Sequence, residues 1–167
     1  MKTALAVLGT LVAIVVVAVA IGYALPVKHT ATREKRLPAD TAAVFAAISS
    51  PSDFPKWRRG VGSAELLPPV EGKPSFREHG SDGTITYVVD EAVPGRRLVS
   101  RIADRNLPFG GSWTFELGPA DGGTMLHVTE QGEVYNPVFR FVSRFILGHH
   151  RTIDQYLEDL DRHLSSR

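Results

Sequence analysis

The chain has 167 residues, 43% of them apolar, 22% charged and 8% aromatic, with no cysteine and a formal net charge of +1. That is room for one domain of ordinary size plus a tail. The balance of 19 Lys and Arg against 18 Asp and Glu argues against a nucleic-acid partner, and the missing cysteine excludes disulfides, thiolate metal sites and cysteine nucleophiles.

Residues 4–25 carry no charge, and only Gly9, Thr10 and Gly22 fall outside the apolar set. A helix of that length rises about 33 Å, enough for a hydrocarbon core of about 30 Å. Pro26 then ends it. Two main readings stand side by side, with a buried helix of the globular core as the remaining alternative. One is a retained single-pass anchor, residues 1–26, in front of a domain at 27–167. The other is a secretory signal cut after Ala18-Val19-Ala20, which would release the remainder. The length of the run favours the anchor. Lys28, Arg33, Lys35 and Arg36 beyond the run outweigh Lys2 before it, which weakly favours the cytoplasmic side for the domain. If those four belong to a folded strand, they do not vote.

The domain opens with a mostly polar strand over residues 29–37. Pro38-Ala39-Asp40 breaks it, and Asp40 can cap a helix over 41–48 that turns Val44, Phe45 and Ile48 to one face. Ser50-Pro51 starts a second short helical turn ending near Trp57. Six strand-like runs follow, at 63–67, 75–79, 84–93, 97–103, 112–117 and 124–134. The punctuation between them includes Pro68-Pro69, Ser81-Asp82-Gly83, Pro94-Gly95 and Asp121-Gly122-Gly123. Asp-Gly pairs between alternating runs signal hairpins, so an antiparallel meander is expected.

Asn136-Pro137 supplies an N-cap and a first-turn proline for a closing helix. At about 100° per residue, Val138, Phe141, Val142, Phe145, Ile146, Ile153, Tyr156, Leu157, Leu160 and Leu164 fall within one sector of roughly 160°. The stripe survives past Gly148, so one long helix with a flexible point there is expected. The fold class is α+β: strand, two short helices, six strands and a long helix, with an antiparallel curved sheet wrapped on that helix.

Three segments carry a family resemblance: Asp53-Phe54-Pro55-Lys56-Trp57, residues 108–115 (Pro-Phe-Gly-Gly-Ser-Trp-Thr-Phe), and Glu133-Val134-Tyr135-Asn136-Pro137. With the element order, they resemble the START-like (SRPBCC) superfamily, in particular its polyketide cyclase/dehydrase and lipid-transport branch. The resemblance covers nearly all of residues 27–167 and none of the N-terminal run. It implies a helix-grip fold with a cavity between the sheet and the C-terminal helix. The occupant differs among lipids, sterols, polyketides, quinones and plant hormones, so fold alone does not give function.

Within that frame, Trp113, Phe115 and Leu117 share one face of their strand. Glu130 has the parity of Leu126 and Val128. Projecting inward, it would have a raised pKa and act as an acid, a base or a ligand-orienting group. A bulge near Gly132 would instead leave it at the rim. His149 lies near the middle of the helical stripe, either as a cavity-side donor or acid/base group or as a satisfied core histidine. The expected cavity lining is Tyr87, Trp113, Phe115, Val128, Glu130, Val142, Phe145, His149 and Ile153. A second group, Trp57, Arg58, Arg59 and Phe109, mixes aromatics and cations suited to anionic headgroups at a cavity mouth. The bland alternative for it is a core tryptophan with a solvated rim.

No metal site is expected, since His149, His150 and Asp154 suggest no third ligand, and no cofactor is implied. A serine-nucleophile elbow is missing too. The leading reading is a membrane-tethered binding domain for a hydrophobic small molecule or lipid. The alternatives are a cyclase- or dehydratase-like enzyme using His149 and Glu130, and a protein-interaction module with a filled core. The identity of any protein partner is not legible.

Overall fold

Hairpin chemistry written into the turns produces a single seven-stranded antiparallel sheet in the computed structural model, which describes residues 2–148 and 150–166. An apolar helix α1 (Lys2–Ala24) leads into β1 (Lys28–Leu37). Then come α2 (Thr41–Ile48), a 3-10 turn (Pro51–Asp53) and α3 (Phe54–Trp57). The meander is β2 (Val61–Val70), β3 (Lys73–Gly80), β4 (Gly83–Val93), β5 (Arg97–Ile102), β6 (Phe109–Ala120) and β7 (Gly123–Val134). The sheet order is β1-β7-β6-β5-β4-β3-β2. The first strand thus pairs with the last, and β1 and β2 form the two edges of the sheet.

Local signals explain the boundaries. The Asp40 side chain accepts from the Ala43 amide at 2.7 Å and starts α2. Asn136 accepts from the Val138 and Phe139 amides and starts α4 (Pro137–Val142). Pro68-Pro69 does not break the chain as expected. Both prolines lie inside β2, tolerated because it is an edge strand and because its pairing with β3 is interrupted between Leu67 and Val70, where neither proline has a ladder partner. The turn falls instead at Glu71-Gly72, both at positive φ between the paired Val70 and Lys73, as a two-residue hairpin requires.

The expected single closing helix is two. A π-helical turn (Ser143–Leu147) follows α4, the chain leaves helical geometry at Gly148 (φ 73°, ψ 153°), and α5 runs from Arg151 to Ser165. Only α5 lies in the core. Its Ile153, Tyr156, Leu157, Leu160 and Leu164 are buried with Leu37, Val44, Ile48, Phe54, Phe115, Leu126 and Val128. The α5 helix is also pinned by charge, Arg33 to Asp154 at 2.8 Å and Lys35 to Asp161 at 2.9 Å. Lys28 and Arg36 lie in β1 as these two do, so all four cations belong to a folded strand and lose their vote on membrane orientation.

Candidate functional site

Alternation along β1 and β7 decides which side chains reach the helix side of the sheet. On β7, Thr124, Leu126 and Val128 are buried and Glu130 follows in the same parity. On β1 that face holds His29, Ala31, Arg33, Lys35 and Leu37. Trp113 of β6 stands directly opposite Glu130, and Ala31 flanks Glu130 on the other side. The result is a lateral row across β6, β7 and β1 with a carboxylate in its middle.

Glu130 is held in a largely apolar setting. Its side chain is 19% exposed, its Oε1 lies 3.9 Å from His29 Nε2, and the Trp113 indole N–H donates to it. Burial pushes its carboxyl up to about 7, and the indole hydrogen bond only partly opposes that. The group therefore exchanges its proton near neutrality, able to donate or accept towards a ligand oxygen. The close fit of His29 to β7 depends on Gly132, where a Cβ would strike the imidazole ring.

A second polar pair lies further across the sheet. Glu78 of β3 is buried and ion-paired to Arg58, whose guanidinium also sits over the rings of Phe54 (4.9 Å) and Tyr156 (5.1 Å). Burial raises the Glu78 carboxyl while Arg58 counteracts it. Tyr87 stacks on Phe76 at 5.0 Å and feels both Glu78 and Glu130, and burial drives its phenol well above the ordinary range. Tyr156 joins the pieces, its ring 5.3 Å from Trp57, 5.5 Å from Trp113 and 5.4 Å from Phe115.

The expected lining residues therefore separate. Trp113 and Glu130 come together on the half-buried band, and Tyr87 lies on it two strands from Trp113, within electrostatic reach of Glu130. Phe115, Val128 and Ile153 are core. Val142 and Phe145 leave the inner surface because the helix breaks at Gly148, and Phe145 is 59% exposed. His149 lies outside the described residues. Trp57 is buried, stacked on His163, and so is no membrane-contact residue. Arg58 is spent on Glu78, Arg59 on Glu158 and Asp159, and Phe109 is half-buried at the start of β6. His29, Arg58 and Tyr156 were not anticipated on the band. The parity of His29 with Ala31 and Leu37 was the signal that could have placed it there.

Two clefts open at the margins of this interface. One of about 420 Å³ lies at the α4–α5 joint, beside Arg59, Gly148, His150, Asp154 and Glu158. The other, about 340 Å³, lies between the end of α1, the start of β1 and the π turn, and His29 is on its wall. Among the described residues no cluster of His, Asp or Glu is arranged to hold a metal ion.

The family model described as "Polyketide cyclase / dehydrase and lipid transport" matches residues 28–164. The chain belongs to this family. Its sheet and C-terminal helix follow the START-like helix-grip fold, as solved structures show. A START superfamily protein from Mycobacterium smegmatis superposes with a TM-score of 0.67 at 15% identity, covering 83% of this chain and 98% of that one. The aromatase/cyclase Zhui from a Streptomyces species gives 0.69 at 12% identity, covering 84% and 95%. The di-domain ARO/CYC BexL gives 0.66 at 16%, with 84% of this chain on 51% of that one. No curated protein matches significantly in sequence. The matched region stops short of α1, whose segment Ala6–Ala24 is long and apolar enough to cross a membrane, a test that an N-terminal signal sequence also passes.

Proposed function

We propose that the domain at 27–167 binds a hydrophobic small molecule or lipid and is tethered to the membrane by residues 4–25. The observation that carries this reading is the band of Tyr87, Trp113 and Glu130. A carboxyl near neutrality among aromatic rings suits a mostly apolar ligand with one oxygen to orient. The family supports the ligand class, and the unburied apolar surface of α1 supports the tether.

The test is mass spectrometry of whatever copurifies with the full chain in mild detergent, after organic extraction. A defined apolar compound held by the wild type and lost in Trp113→Ala supports the reading. A wild type that carries nothing beyond bulk lipid overturns it. One observation favours a second, enzymatic reading: His29 lies within ion-pair reach of a carboxyl that titrates near pH 7. There, Glu130→Gln would abolish turnover of the copurifying compound while leaving its retention intact.

A further inference from the structure

The end of α1 is fastened to the domain. Gly22 is buried against Pro137, so closely that a Cβ would run into the Pro137 carbonyl. Arg140 Nη1 donates to the Leu25 carbonyl at 2.8 Å, and the Val134 amide donates to Val27 at 2.9 Å. Accordingly α4 is fixed at the level where the apolar helix stops. Val138 and Phe139 of α4, Phe145 and Ile146 of the π turn that follows it, and the flanking tyrosines Tyr23 and Tyr135 are all exposed. Aromatic and aliphatic residues gathered at the end of a span are the composition of a membrane interface.

Next to this collar is the 340 Å³ cleft, whose wall includes Lys28, Arg140, Ser143 and Arg144. Lys28 has Glu133 at 3.6 Å but is 82% exposed. Arg140 spends its Nη atoms on backbone carbonyls, and among the described residues neither Arg140 nor Arg144 has a carboxylate partner. Two donors of the cleft residues, Arg140 Nε and Ser143 Oγ, are buried without an acceptor. A buried donor left unmatched costs about 1–3 kcal/mol, so this part of the wall favours an acceptor over an apolar group beside it.

We propose that this cleft is a headgroup site for an anionic phospholipid. Its phosphate accepts from Arg140, Ser143 and Arg144, and its chains lie along the exposed face of α4 and the π turn. The occupant is a lipid rather than a free anion because the donors adjoin an apolar collar that a soluble phosphate would leave uncovered. The inference rests on α1 being a membrane span.

The test uses the full chain in mild detergent with equal amounts of phosphatidylglycerol and phosphatidylcholine of the same acyl chains. Bound lipid is read by native mass spectrometry. A preference of about tenfold for phosphatidylglycerol is expected, falling to near parity in Arg144→Gln and in the Arg140→Gln/Arg144→Gln pair. Ser143→Ala, which changes no charge, should lower the preference several-fold, as a built site requires and a diffuse basic surface does not. Because Arg140 also holds Leu25, Arg144→Gln alone decides if the double variant misfolds. Equal binding of both lipids overturns the proposal. So does displacement of phosphatidylglycerol by inorganic phosphate, which would make this a free-anion site. Alkaline carbonate washing of membranes from producing cells separates the two layers of the argument. A chain washed off overturns the span itself, whereas a chain retained without lipid preference overturns only the headgroup site.

Discussion

The two halves of the C-terminal apolar stripe have opposite fates. In α5 the stripe is the core, with Ile153 and Leu160 fully buried and Tyr156 among the rings of Trp57, Trp113 and Phe115. In α4 and the π turn the same kind of residue faces outward, Phe145 and Ile146 most of all. What differs is the partner each half meets. The α5 half is tied to β1 by Arg33–Asp154 and Lys35–Asp161, and the α4 half is tied to α1 through Gly22 and Arg140. An apolar stripe says that water is avoided; only the neighbours say whether core or bilayer replaces it.

The largest effect that separates the halves is a truncation inside α5. Leu160→Ala removes a fully buried side chain and should cost about 2–5 kcal/mol, read by urea titration of the full chain in mild detergent. A loss below about 1 kcal/mol would mean that the α5 interface is much looser than its burial indicates.

Next comes the carboxylate in the row that α5 covers. The native Glu130 holds its proton up to about pH 7, against an ordinary value of 4.5. Its protonated form therefore contributes stability that is fully present below about pH 4.5 and lost as the pH rises through about 7. The total is about 2–3 kcal/mol, allowing for the partial exposure of the side chain. In Glu130→Gln that slope should vanish, so the variant gains on the wild type as the solution becomes alkaline. Parallel pH–stability curves for the two proteins would place Glu130 in water.

A smaller effect belongs to the joint. Gly148 holds a backbone conformation that non-glycine residues rarely adopt, yet a Cβ there would meet nothing within 4 Å. Gly148→Ala should cost about 1–2 kcal/mol by strain alone and raise helical circular dichroism if the two helices fuse. No loss of stability would show that the break is not set by this residue.

Much of this was legible beforehand where the cause is local. The caps at Asp40 and Asn136, the Asp121-Gly122 turn and the period-two alternation each act within a few residues, and the elements they define are present. Pro68-Pro69 misled because its tolerance depends on β2 being an edge, a property of sheet order rather than of neighbouring sequence. Trp57 sits among cations in sequence, but its burial comes from Tyr156 and His163, a hundred residues away. The stripe misled for a related reason. Angular counting carries phase across Gly148, and one residue at positive φ resets it.

The smallest stability effect tests the outward half directly. Phe145→Ala removes a ring that is 59% exposed and should change unfolding by no more than about 0.5 kcal/mol. The same substitution should matter for the bilayer, because a ring at the interface contributes through partitioning rather than packing. With nitroxide-labelled lipid in vesicles, a fluorophore attached at position 145 should be quenched far more than one at position 158, where Glu158 faces solvent on α5. Equal quenching would remove the bilayer as the partner of the outward half. A large stability loss in Phe145→Ala would return that half to the core, and with it the expectation of one continuous helix gripping the sheet.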